Sequence, residues 1–317
     1  GYNALVNSTT ANYNVAVGAC AGYANTTGAC LASVGYKTLL SNTTGNGSVA
    51  LGYAALLSNT TGGNNVGVGH KALTTNTTGG ENVAVGTKAL CSNTTGSDNA
   101  TVGQDSLFAN TTGCRNVALG RAALRYNTTG KWNSAVGYIA LFCNTTGENN
   151  TAVGTYAMCL NTTGSANTAL GRSVLQAQTT GCWNTGVGNF ALQANTTATF
   201  NTAIGACSLY SNTTGAKNVA VGYQALRVNT GGHYNTTSGV YSMYQNTTGS
   251  YNTASGMLTM RCNTTGSYNT ASGVYALCAN TTANYNTAVG YQTLKVNTTG
   301  AGNTALGYTA LLLSLIH

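Results

Sequence analysis

The stretch Asn76-Thr77-Thr78-Gly79-Gly80-Glu81-Asn82-Val83-Ala84-Val85-Gly86-Thr87-Lys88-Ala89-Leu90-Cys91-Ser92 is one period of a pattern that begins again at Asn93. With its residues numbered as slots 1 to 17, the chain reads N-T-T-G-x-x-N-[TV]-A-[VL]-G-x-x-A-L-x-x in eighteen copies, the first starting at Ser8 and the last at Asn297. The slot 11 glycine recurs as Gly18, Gly35, Gly52 and onward to Gly307 without an insertion or a deletion. Surface loops ordinarily tolerate insertions. An array without one implies that every residue of the period, turns included, stacks on its counterpart in the next copy.

Seventeen residues are too few for the helix pairs of known helical repeats, which need about 33 or more. Slots 7 to 10, as in Asn82-Val83-Ala84-Val85, alternate in size and are rich in β-branched residues, which suits a short strand. Gly at slots 4 and 11 gives corners a permissive backbone, and Asn at slots 1 and 7 favours turns. The expected fold is all-β: a parallel β-solenoid, or β-roll, of eighteen 17-residue coils. At a strand spacing of about 4.8 Å it would form a rod of roughly 85 Å. Residues 1–312 read as a single array, a piece of a longer fibre. Residues 313–317, Leu-Ser-Leu-Ile-His, leave the pattern and read as a cap stub or a translated sequencing adapter.

Composition narrows the function. The 317 residues include 12 Lys+Arg, only 4 Asp+Glu, 3 His, 42 Gly and no Pro. Four acids and three histidines leave almost no material for acid–base catalysis, so no enzyme, metal site or cofactor is expected. No apolar run approaches the roughly 20 residues that span a bilayer, so no membrane insertion is expected of this segment. Absence of Pro fits a coil whose backbone N–H groups are wanted by its neighbours. All sixteen charged residues fall at slots 5, 6, 12, 13 and 16, which therefore face water. Slot 15 is Leu or Met in nearly every copy and slot 14 is small, so Leu39, Leu56, Leu73 and Leu90 are expected core. The net charge of +8, spread along such a rod, leaves about a Debye length between charges and gives no nucleic-acid patch.

The Asn and Thr columns, with Asn25, Thr26, Thr27, Asn42, Thr43, Thr44, Asn246 and Thr247 as examples, are expected to stack into side-chain hydrogen-bond ladders. Two other readings attach to them: Asn-x-Thr is a glycosylation acceptor, and a threonine array can match an ice surface. Aromatic residues gather at slot 6, as Trp132, Trp183 and Phe200, then Tyr234, Tyr251, Tyr268 and Tyr285 in four successive coils. That column reads as a stabilising ladder or as a stripe that stacks on sugar rings. Ser238, Ser255 and Ser272 replace the slot 10 aliphatic in three consecutive coils, and Val240, Met257 and Val274 appear at slot 12 of the same coils. Ten Cys show no metal-binding spacing; mostly free thiols are expected, with Cys143–Cys159 and Cys262–Cys278 the pairs near enough for a bridge.

Coils such as Asn286-Thr287-Ala288-Val289-Gly290-Tyr291-Gln292-Thr293-Leu294 followed by Asn297-Thr298-Thr299-Gly300 resemble arrays of phage-type tail-fibre proteins and bacterial surface fibres. Ser48-Val49-Ala50-Leu51-Gly52 and Asn82-Val83-Ala84-Val85-Gly86 are similar to the head repeat of trimeric autotransporter adhesins, though the unit of that head is shorter. The resemblance implies a left-handed roll, a homotrimer, an extracellular place on a virion or cell surface, and attachment to a host receptor or glycan. Burial of one Leu, one Val and two Ala per coil is modest against the entropy of seventeen residues, so a face built on slots 8 and 10, or on slot 9, is expected to pack on sister chains.

Overall fold

The computed structural model describes residues 1–312; the segment 313–317 lies outside the described residues. Eighteen parallel strands of three residues follow one another every seventeen positions, from β1 (Val15–Val17) through β9 (Thr151–Val153) and β10 (Thr168–Leu170) to β18 (Thr304–Leu306). Each occupies slots 8 to 10 of its coil, and no helix occurs among the described residues. The chain falls into two compact units, Gly1–Thr163 and Gly164–His317, carrying β1 to β9 and β10 to β18 respectively. Within each unit successive strands pair in parallel with a register of one coil, as in Val66↔Val83 and Thr253↔Thr270. The β-solenoid read from the period is the fold observed.

Backbone hydrogen bonds leave each coil in both directions. In the Asn76 coil, the N–H groups of Glu81, Gly86 and Lys88 donate to Gly63, Val68 and His70 of the preceding coil, and those of Val83 and Leu90 donate to Asn99 and Ser106 of the next. Proline at any of these positions would delete an inter-coil bond, which accounts for its absence. Three residues of that coil that are not glycine, Glu81, Lys88 and Leu90, have φ of 59°, 55° and 51°. The same three slots, 6, 13 and 15, are left-handed coil after coil. Each costs on the order of 1 kcal/mol or more. Their inter-coil hydrogen bonds, and the complete burial of the slot 15 side chain, hold them there.

The interior is a narrow column of small groups. Slot 9 and slot 14 alanines and the slot 15 leucines, Leu39, Leu56, Leu73 and Leu90 among them, are buried, whereas slots 8 and 10 point outward. The uncertainty between the two strand faces is thereby resolved: slot 9 lines the lumen and cannot meet a sister chain. Steric demands are met within and between coils. Ser33, Thr101 and Thr237, the hydroxyl residues at slot 9, hydrogen-bond Thr38, Ser106 and Ser242 at slot 14 of their own coils. Slot 14 holds the larger Val174 once, and there the following coil has Gly186 at slot 9, where a Cβ would lie 2.5 Å from Val174 Cγ1.

Glycine predominates at slots 4 and 11 for different reasons. Gly137 at slot 11 has φ +134°, and a Cβ there would lie 2.7 Å from the Gly154 carbonyl oxygen. At slot 4 no left-handed backbone is involved; a Cβ on Gly96 would strike Asn93 Oδ1 at 2.5 Å and the Gly113 oxygen at 2.3 Å. Alanine nonetheless stands at that slot as Ala198 and Ala283, both buried.

Gly137→Ala should destabilise the protein by about 2 kcal/mol or more. Gly231→Ala should leave stability unchanged or raise it by a few tenths of a kcal/mol, because a Cβ at Gly231 meets nothing closer than 3.7 Å; thermal denaturation of the two variants checks both signs. In a double-mutant cycle, Thr101→Ala and Ser106→Ala should each cost about 1 kcal/mol or more. The double variant should cost less than their sum, because no buried hydroxyl is then left without its partner.

Candidate functional site

Asparagine at slots 1 and 7, the turn-favouring residue expected to stack into ladders, lies buried inside the coil and does so. Asn93 Nδ2 donates to Asn76 Oδ1 at 2.7 Å and to its own coil's Gly96 oxygen at 2.8 Å. Asn82, at slot 7 of the coil before, donates from Nδ2 to the same Gly96 oxygen at 2.9 Å. The Oδ1 of Asn82 accepts from both the backbone and the side-chain N–H of Asn99. Two ladders thus meet on one slot 4 carbonyl, of glycine in most coils and of Ala198 or Ala283 in two, which satisfies its lone pairs and both amide protons. Gln178 takes the slot 1 place once, bonding the Gly181 oxygen and accepting from both Asn195 and Asn184.

The ladder contacts of Asn25, Asn42 and Asn246 follow the same geometry. Their Nδ2 atoms, where a glycan would be joined, are buried donors, so the folded coil has no room for a sugar on them. The threonines behave differently from a side-chain ladder. The hydroxyls of Thr26, Thr43 and Thr247 donate to the backbone oxygen of the threonine one coil on. Thr27 and Thr44 at slot 3 are exposed, and each coil contributes one such residue, so they form a single file and not a two-dimensional grid. Nothing inside the coil requires threonine at slot 3.

The slot 6 aromatics all lie on the surface. Tyr234, Tyr251, Tyr268 and Tyr285 stack with centroid spacings of 4.8, 5.0 and 5.1 Å and interplanar angles of 7°, 2° and 9°. Trp183 and Phe200 lie parallel at 6.3 Å, and Trp132 is exposed. In such a stack the ring faces are turned on one another, leaving edges and hydroxyls outward. Lys217 caps one end, with Nζ 4.8 Å from the Tyr234 centroid and donating to its Oη at 2.9 Å. That bond raises the Lys217 pKa. At the other end Tyr285 is 64% exposed, and the next coil has Gly302 at slot 6. A sugar ring can therefore lie face to face with this ladder only at its Tyr285 end.

Slot 16 departs from a simple solvent-facing column. Arg125 lies 5.7 Å from the Phe108 centroid and 6.0 Å from that of Phe142, and Arg227 sits between Tyr210 and Tyr244 at 5.3 and 5.7 Å. Arginine inserted between rings in neighbouring coils staples them by cation–π attraction. Slot 12 carries a second stack, Tyr36–Tyr53–His70, at 5.4 and 5.3 Å. None of the ten cysteines is joined in a disulfide, the two candidate bridges included, and burial raises the pKa of Cys91, Cys143 and Cys278. Among the described residues no group of three or more His, Cys, Asp or Glu is placed to hold a metal. Among the described residues no helix is long and apolar enough to cross a membrane.

The least expected surface is the outer face of the strands. Slot 8 is Val, Ala, Thr or Ser and slot 10 is Val, Leu, Ile or Ser in every coil, although both point outward. Val49, Leu51, Val83, Val102 and Leu119 are exposed in the first unit, and Leu170, Ile204 and Val221 in the second. No protein-family model, curated protein or solved structure matches the chain.

The double substitution Tyr251→Ala/Tyr268→Ala removes all three contacts of the tyrosine stack. It should lower stability by about 2 kcal/mol, as the loss of several aromatic pairs would, read as a fall in melting temperature with the β-sheet circular dichroism of the folded chain retained.

Proposed function

We propose that this chain is a structural and adhesive fibre segment that assembles with copies of itself through the slot 8 and slot 10 face. In the assembly it displays slots 5, 6, 12, 13 and 16 to a receptor. The observation that carries this reading is the exclusion of charge from an exposed face. Solvent-facing positions of a soluble protein accept Lys and Glu freely, and this chain does so at five other slots. At slots 8 and 10 no coil does so. An exposed, uncharged face of Val, Leu, Ile, Ala and Thr of this kind has the character of a surface covered by another protein. The covering of such a strip would add the apolar burial that a lumen filled by alanine and one leucine per coil lacks. A homotrimer on the outside of a virion or a bacterial cell, holding to a host-surface glycan or receptor, is the assembly and setting that fit, in line with the resemblance to tail fibres and adhesin heads. The variable slots suit display: they change from coil to coil while the ladders beneath them stay constant.

Light scattering of the purified chain should give an integral multiple of the 32.0 kDa protomer. Val102→Asp combined with Leu119→Asp should shift it to the protomer mass while the coil's circular dichroism is kept. A wild-type chain that is monodisperse at the protomer mass would remove self-assembly from this reading.

A further inference from the structure

The three coils with serine at slot 10 also reshape the neighbouring surface. β14 (Thr236–Ser238), β15 (Thr253–Ser255) and β16 (Thr270–Ser272) turn hydroxyls outward where other strands carry an aliphatic. Two residues along, Val240 and Met257 are exposed at slot 12. Beside them a surface groove of about 560 Å³ is lined by Gln224, Val240, Tyr241, Tyr244, Met257, Leu258 and Arg261. That is the size of a site for a small ligand. Its lining offers aliphatic and aromatic carbon together with an amide, two phenols and a guanidinium.

The charge around this groove has one sign. All four acids of the chain, Glu81, Asp98, Asp105 and Glu148, precede residue 164, so the second unit holds Arg172, Lys217, Arg227, Arg261 and Lys295 without a carboxylate among its side chains. Arg227 is already used: it is packed between tyrosines and donates from a guanidinium N–H to Tyr244 Oη at 2.8 Å. Arg261 is exposed, and among the described residues nothing accepts a hydrogen bond from its guanidinium.

We infer that this groove binds a sugar carrying a carboxylate, with the Arg261 guanidinium on the carboxylate and the C–H face of the ring against Met257, Leu258 and Tyr241. The inference rests on the receptor-binding reading above and moves the contact from the slot 6 ladder, whose ring faces are occupied, to the slot 12, 13 and 16 columns. A guanidinium is suited to a planar carboxylate, which it can grip with two parallel hydrogen bonds. Tyr244 Oη accepts from Arg227 and so keeps its own proton to donate to a ring hydroxyl. Tyr241, protonated at neutral pH as a phenol ordinarily is, places a second hydroxyl at the groove. Gln224 Nε2 donates to Tyr223 Oη at 2.8 Å, leaving its carbonyl free to accept.

Saturation-transfer NMR and calorimetry with trigalacturonate and with sialyllactose test the site, against the methyl ester of the first and lactose as neutral counterparts. At least one acid should bind wild-type chain, its neutral counterpart about tenfold more weakly or worse. Arg261→Gln should cost about tenfold or more in affinity for the acid, and Tyr285→Ala should not change it. Equal binding of acid and neutral sugar, equal binding by Arg261→Gln, or no binding of either acid overturns the inference. Retention of wild-type chain on an array of neutral glycans separates the two readings. A chain that ignores both acids but is held by the array loses the groove and keeps its receptor role; one held by nothing loses both.

Discussion

Everything in this fold depends on a polar interior whose amides are paired from coil to coil. Two asparagines per coil are wholly buried, and an amide left unpaired there would cost several kcal/mol. The cost is avoided because slot 1 of a coil and slot 7 of the coil before it deliver their N–H groups to the same slot 4 carbonyl, while the Oδ1 atoms of residues such as Asn76 and Asn82 accept from the following coil. That geometry works only if consecutive coils superimpose. One residue inserted in a turn would offset both ladders at once, and this is the physical reason the array runs through eighteen copies without a slip. The glycine at slot 4 belongs to the same device: a Cβ there would be crowded by its own coil's slot 1 amide and by the next coil's slot 4 carbonyl, and backbone angles play no part.

With the inside settled by stacking, the outside divides into faces of different chemistry. The strand face excludes charge and is flat. The slot 6 column is aromatic in the second unit, self-stacked and capped at one end by Lys217. Slots 12, 13 and 16 carry arginine and tyrosine in changing combinations, stapling neighbours in some coils and leaving a groove in others. The first unit holds every acid and the second none, so the two present different fields to a partner.

The period and its glycines made the solenoid, the strand slots and the Leu39 to Leu90 core readable before any coordinates, because those features follow from repetition and residue size. Less accessible was the direction of the asparagines. Asn is a turn residue by habit, and only the cross-section shows that slots 1 and 7 aim at one carbonyl. The left-handed residues at slots 6, 13 and 15 gave no signal, since Trp132, Lys88 and Leu90 are not residues that choose such angles. Stacking imposes them. The aromatic column was visible as a column, but whether its faces were open depended on ring spacing. The link between slots 9 and 14 was present in the sequence as Ser33 with Thr38, Thr101 with Ser106 and Thr237 with Ser242, and needed the fold to show that those slots touch.

That link bears on how such a chain can grow and diversify. A hydroxyl pair contained in one coil travels intact when the coil is duplicated or exchanged by recombination, so coils of this type are interchangeable parts. The Val174 and Gly186 pair straddles two coils and must be copied together. Unequal crossing-over between repeats should therefore shuffle most of this array freely in whole periods, altering length and surface pattern without a folding penalty. A few junctions, marked by compensations that cross from one coil to the next, are inherited as linked blocks.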